Sequence, residues 1–69
     1  MEHRIELKQL GKAIKTKRES LRLTQDEFAT LCGLSKNYIG MLERGERNPS
    51  YLTLLQIVKK LNITINEIL

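Results

Sequence analysis

Apolar positions recur along the chain at helical spacing, and short polar breaks divide them into five runs. Leu7, Leu10, Ile14 and Leu21 form one stripe over about residues 6–20, while Lys8, Lys12, Lys15, Lys17 and Glu19 occupy the other faces. Thr24, Gln25, Asp26 and Glu27 have the form of a capping box, with Leu23 and Phe28 at staple spacing on either side. That second helix is expected to end near Cys32, because Gly33 can take the left-handed position of a C-terminal cap. Ser35 is an N-cap for a third helix that ends at Arg44 and Gly45. A polar loop follows, and Ser50 caps a fourth helix over about residues 51–61, with Leu54, Ile57, Val58 and Leu61 on its inner face. Thr64 to Glu67 looks like another capping box, so a short fifth helix is expected over about residues 64–69. The fold class predicted is all-α with five helices.

Composition narrows this picture. The 69 residues allow one domain, residues 1–69, with a small core and little room for a deep cleft. A hydrophobic fraction of 41% and a charged fraction of 29% describe a globular chain. One cysteine, Cys32, and one histidine can build neither a disulfide nor a zinc site, so no metal or cofactor is expected. Cys32 is expected to be a small buried core residue rather than a redox sensor. The N-terminal residues lack the apolar run of a signal peptide, and no stretch approaches a membrane span. A cytoplasmic protein without membrane contact is therefore expected. The net charge of +4 permits an anionic partner without requiring one.

The second and third predicted helices, about residues 24–44, are joined by the very short turn Gly33-Leu34. Helices that close cannot lie antiparallel, so they must cross steeply, with Ala29 where the axes approach and Ile39 and Leu42 as anchors. This is the spacing of a helix-turn-helix. Lys36, Asn37, Gly40, Met41 and Arg44 fall between the anchors and should face outward, and none is acidic. Asn pairs with adenine, Lys donates to guanine, and Met packs on a thymine methyl, so this set suits a DNA major groove. Gly40 is expected to keep the helix slim for close approach, although it weakens the helix.

Gln25 to Ala29, Gly33-Leu34-Ser35, Tyr38-Ile39 and the run from Glu43 to Ser50 resemble the lambda-repressor/Cro (XRE-type) helix-turn-helix family. The likeness extends to Ile14, Arg18, Leu21, Leu54, Ile57, Leu61 and Ile63, which is nearly the whole chain. The residues from Lys36 to Ile39 and from Glu43 to Ser50 are also similar to the small controller proteins of restriction–modification systems. The resemblance implies a five-helix DNA-binding domain whose third helix reads DNA, acting as a homodimer on a palindromic operator. It places base contacts on Lys36, Asn37 and Met41, with Tyr38 near the backbone or a base edge. It places phosphate contacts on Gln25, Arg44, Arg47 and Asn48, and Ser35 completes the contact set. It also implies that Arg18 and Glu43 form a structural ion pair. Relatives often carry Gln or Ser where this chain has Lys36, Gly40 and Met41, so their target sequence does not transfer.

The C-terminal region, about residues 51–69, is more apolar than one small core needs. Ile63 and Ile68 can be core, whereas Leu55, Ile65 and Leu69 are in excess and are expected to form the dimer contact. The partners expected are thus double-stranded DNA and a second copy, with no small-molecule ligand. Phage-type repressors and antitoxin-like interaction modules remain alternatives to a controller. No enzyme is expected, because no nucleophile–base arrangement or phosphate-cradling glycine loop occurs. RNA is disfavoured, since the chain has only three aromatics for base stacking.

Overall fold

A computed structural model describes residues 3–68. Its elements in chain order are α1 (His3–Ser20), α2 (Gln25–Cys32), α3 (Lys36–Glu43), α4 (Tyr51–Leu61) and a single 3-10 turn, Ile65–Glu67. Among the described residues the fold is all-helical, with four helices rather than five. The expected fifth helix is only that turn. Its backbone bonds run from Glu67 N–H to Thr64 O and from Ile68 N–H to Ile65 O, both 3.1 Å and both spanning three residues. Thr64, Ile65 and Asn66 are weak helix formers, and one turn does not recover the entropy of nucleation. Glu67 Oε1 still accepts from the Thr64 N–H at 2.9 Å.

The helix starts follow the sequence. Thr24 Oγ1 accepts from Glu27 N–H at 3.0 Å, and Glu27 Oε1 accepts from Thr24 N–H at 2.8 Å, which completes the capping box of α2. Ser35 and Ser50 hydroxyls accept from the N–H groups of Tyr38 and Thr53. The helix ends share one device. After each helix the chain passes through a residue of positive φ: Arg22, Gly33, Gly45 and Asn62. The next N–H then reaches back five residues, from Leu23 to Arg18 O, Leu34 to Ala29 O, Glu46 to Met41 O and Ile63 to Val58 O. This is the Schellman arrangement, which satisfies carbonyls that the helix leaves open. Glycine fits it without strain, and Asn tolerates it, but Arg22 carries a Cβ that opposes it.

The core is built from Leu10 and Ile14 of α1, Phe28, Ala29 and Cys32 of α2, Ile39 and Leu42 of α3, the inner row of α4, and Ile68. Leu21, predicted to extend the α1 stripe, lies past the helix end and is 41% exposed. What sets α3 in place is a seam with α1. A Cβ at Gly11 would collide with the carbonyl oxygens of Leu42 and Glu43, 2.6 Å from the latter. A Cβ at Gly45 would lie 2.7 Å from Lys8 Cγ and 2.9 Å from Lys8 Cα. The two helices thus meet backbone to backbone, which only glycine permits at these points.

Candidate nucleic-acid interface

Helix α3 has two faces. Ile39, Leu42 and Glu43 are buried, whereas Lys36 and Asn37 are exposed and Met41 is half-buried. Ser35 is exposed, with its hydroxyl oxygen occupied by the Tyr38 N–H at 2.9 Å. Gly40, expected to face outward, is in fact buried. Its cover is the Arg44 side chain, whose Nη1 lies 3.1 Å from the place a Gly40 Cβ would take. Gln25, Lys36, Asn37, Gly40 and Arg44 together line a shallow groove where the N-terminus of α2 meets α3.

Behind this face lies a charged network. Arg18 Nε donates to Glu43 Oε2 at 2.6 Å, and Arg18 Nη2 donates to Glu43 Oε1 at 3.0 Å. Arg18 Nη1 donates to the Leu23 carbonyl at 2.6 Å, which ties the turn before α2 into the same group. Both residues are buried, and the fork geometry is the strong form of a charge-assisted pair. The Glu43 bonds raise the Arg18 pKa above its ordinary value, against the opposing effect of burial. Gln25 joins the network: its Nε2 donates to Glu43 Oε1 at 2.9 Å. The Gln25 side chain is therefore oriented by Glu43, with one amide N–H taken and its Oε1 near Gly40. This chain of contacts links α1, α2 and α3, and no buried side-chain polar atom among the described residues lacks a partner.

The loop after α3 brings in a residue that the sequence did not single out. Arg44 Nε and Nη2 donate to Glu46 Oε2 and Oε1 at 3.1 and 3.2 Å. The outward positions of α3 carry no acid, but Glu46 adds a carboxylate beside their last cation. The visible signal was an arginine and a glutamate flanking a glycine that reverses the chain, with φ +78°. Arg47, exposed in the same loop, lies over the Tyr38 ring at 5.1 Å, a cation–π distance. Tyr38 is half-buried and Asn48 is exposed.

Of the three residues expected at a dimer contact, Leu55 and Ile65 are half-buried and pack partly on the core, so each keeps only an edge in solvent. Leu69 lies outside the described residues. Leu52 is 73% exposed and is the larger apolar surface on α4. Ile68 is core and Ile63 packs against it. Cys32 is buried, and burial pushes its thiol pKa up, with Lys60 acting weakly the other way. Among the described residues there is no group of side chains fit to hold a metal ion. Among the same residues no helix is long and apolar enough to cross a membrane.

Residues 14–68 match the family model HTH_3, helix-turn-helix. The chain is 35% identical over 60 residues to the control protein C.SmaI of Serratia marcescens, a match covering 87% of this chain and 71% of that protein. It is 39% identical over 59 residues to the ImmF control region 10 kDa protein of Bacillus phage phi105, covering 86% of this chain and 66% of that one. The fold is similar throughout to the restriction-modification controller protein C.AhdI from Aeromonas hydrophila. That likeness has a TM-score of 0.94 and 32% identity, over all of both chains.

Proposed function

The chain belongs to the HTH_3 helix-turn-helix family and is a transcriptional regulator of that kind; from that premise we propose that it binds a two-fold operator as a homodimer, with α3 in the major groove. The observation that carries this is the exposed start of α3. Lys36 and Asn37 stand free on a helix that Ser35 caps and the Arg18–Glu43–Gln25 network fixes from behind. In this reading Lys36, Asn37 and Met41 meet base edges, and Tyr38 lies beside them. Gln25, Ser35, Arg44, Arg47 and Asn48 ring them and meet phosphates, which fix register. The N-terminus of α2 adds its own preference for an anion. The edges of Leu55 and Ile65, together with Leu69, form the dimer contact, and exposed Leu52 extends it along α4. A two-fold pair then sets its α3 helices about 34 Å apart, one turn of DNA.

Two copies are needed for one operator, so occupancy depends on protein concentration through dimerisation. Such a protein can meter its own level without a bound effector. The end-to-end likeness to C.AhdI favours a controller of restriction–modification genes. The likeness to the phage phi105 protein favours a phage-type regulator as the second reading. Neither reading involves catalysis.

Selection of bound DNA from a random pool tests the proposal. The expected product is an inverted repeat with half-sites one turn apart, bound by two chains. Equal affinity for the selected site and for random duplex at physiological salt would reject sequence-specific binding. Lys36→Ala should weaken the selected site by roughly 1–3 kcal/mol and relax its sequence, while Arg47→Ala should weaken all duplexes alike.

A further inference from the structure

Arg44 leaves the end of α3 and folds back over it. Its Nε and Nη2 form two bonds to the carboxylate of Glu46, at 3.1 and 3.2 Å. An exposed pair usually contributes little, but a two-bond fork fixes the plane of the guanidinium. The pairing also raises the Arg44 pKa above its ordinary value, with the hydrogen bonds to Glu46 as the first cause. The fork occupies one edge of the group. Nη1 has no hydrogen-bond partner among the described residues. It lies over Gly40, 3.1 Å from the place of a Cβ, and Gln25 Oε1 lies 3.8 Å from that same place. The absent side chain of Gly40 thus lets the guanidinium lie close against α3 in the groove beside Gln25.

We propose that Glu46 is a positioning residue for DNA recognition: it clamps Arg44 across Gly40 so that the free edge of the guanidinium meets one backbone phosphate at the α2–α3 groove. This rests on the reading of α3 as a DNA-binding helix. An unclamped arginine has a long flexible stem and reaches whichever phosphate is near, which adds affinity for every sequence. A clamped arginine offers its donors at one point. Together with the oriented amide of Gln25, it fixes the register of α3 against the bases, and register is what phosphate contacts contribute to specificity. Glu46 therefore trades general affinity for discrimination.

The test measures binding of the full chain to its selected operator and to random duplex across a salt series. Glu46→Ala should tighten binding to random duplex and steepen its salt dependence by about one unit of slope. The preference for operator over random duplex should fall by about tenfold, within the range one specificity contact commands. In an Arg44→Ala background, Glu46→Ala should leave that preference unchanged. Gly40→Ala keeps the net charge but sets a methyl 3.1 Å from Nη1, which presses the guanidinium out of its place, and it should lower the preference without steepening the slope. Equal tightening of Glu46→Ala on operator and random duplex would make Glu46 a mere local charge and overturn the proposal. An unchanged preference in Gly40→Ala would also overturn it. A wild-type chain that shows no preference would bring down the DNA-reading assignment itself, and this proposal with it.

Discussion

Replacing Glu43 by alanine should unfold much of this protein at moderate temperature. The Arg18 and Glu43 side chains are only 7% and 2% exposed. Without Glu43, the guanidinium loses its bonds from Nε and Nη2 and keeps Leu23 O, with Glu19 Oε2 at 4.0 Å as the only carboxylate left near it among the described residues. Gln25 loses its anchor as well. Breaking one partner out of a buried pair costs about 3–5 kcal/mol. A domain of this length has a total stability of about 3–10 kcal/mol. Each kcal/mol shifts the midpoint of a small domain by about 4–8 °C, so the expected fall is of order 12–40 °C. Thermal and urea unfolding followed by helical circular dichroism measure it directly. The companion variant carries Arg18→Met and Glu43→Leu together. It removes both charges while keeping volume, and it should regain most of the loss, since an apolar replacement of a buried pair is often neutral. A Glu43→Ala loss below about 1 kcal/mol, or a double variant no better than the single, would refute the argument that this pair is a desolvated unit. The folded pKa of Arg18 is raised, so its stabilising effect is complete below its ordinary value and fades only at higher pH. Ordinary buffers should show no step that belongs to Arg18.

Gly11→Ala gains about 1 kcal/mol of helix propensity but drives a Cβ into the Leu42 and Glu43 carbonyls. The net result should be a loss of about 2 kcal/mol in urea unfolding, and a neutral substitution would contradict the seam between α1 and α3. Arg22→Gly relieves the positive φ of a residue with a Cβ and should stabilise the domain by about 1 kcal/mol. Cys32 should react with a thiol reagent only as fast as the domain opens, and rapid labelling of the native protein would contradict its burial. Burial raises the folded thiol pKa, so the contribution of Cys32 is complete below the ordinary thiol value and is lost as pH rises past it. Stability should therefore fall on the alkaline side, and Cys32→Ala should flatten that fall.

Local chemistry was legible in the sequence, and long-range packing was not. The Thr24 box, the Ser35 and Ser50 caps and the glycine ends at Gly33 and Gly45 each depend on a few neighbouring residues, so their spacing alone located them. Ala29, Ile39 and Leu42 were legible because a short turn leaves two helices few ways to pack. Gly11 stood in an otherwise ordinary amphipathic helix, and its need for closeness comes from carbonyls more than thirty residues away. Gly40 was assigned to the surface by helical phase, which is blind to an arginine folding back from four residues on. Thr64 and Glu67 did bond, but a cap signal marks a start and does not supply the residues that sustain a helix. The exposure of Lys36, Asn37 and Arg47 was legible from helical phase and loop position, whereas the role of Glu46 was not, because it depends on where Arg44 points. Arg22 at a left-handed position broke the rule that would have predicted glycine there.

The glycine seam between α1 and α3 also decides which partner yields when protein meets DNA. Side-chain interfaces can slide by changing rotamers, but carbonyls set against a bare Cα have no such freedom. The tilt of α3 is thus a fixed property of the folded chain. With α3 in the groove as proposed, an operator whose grooves do not match it would have to bend or twist to fit, and the energy of that deformation would become part of the selection among sites. Base pairs that no side chain touches would then matter through their stiffness.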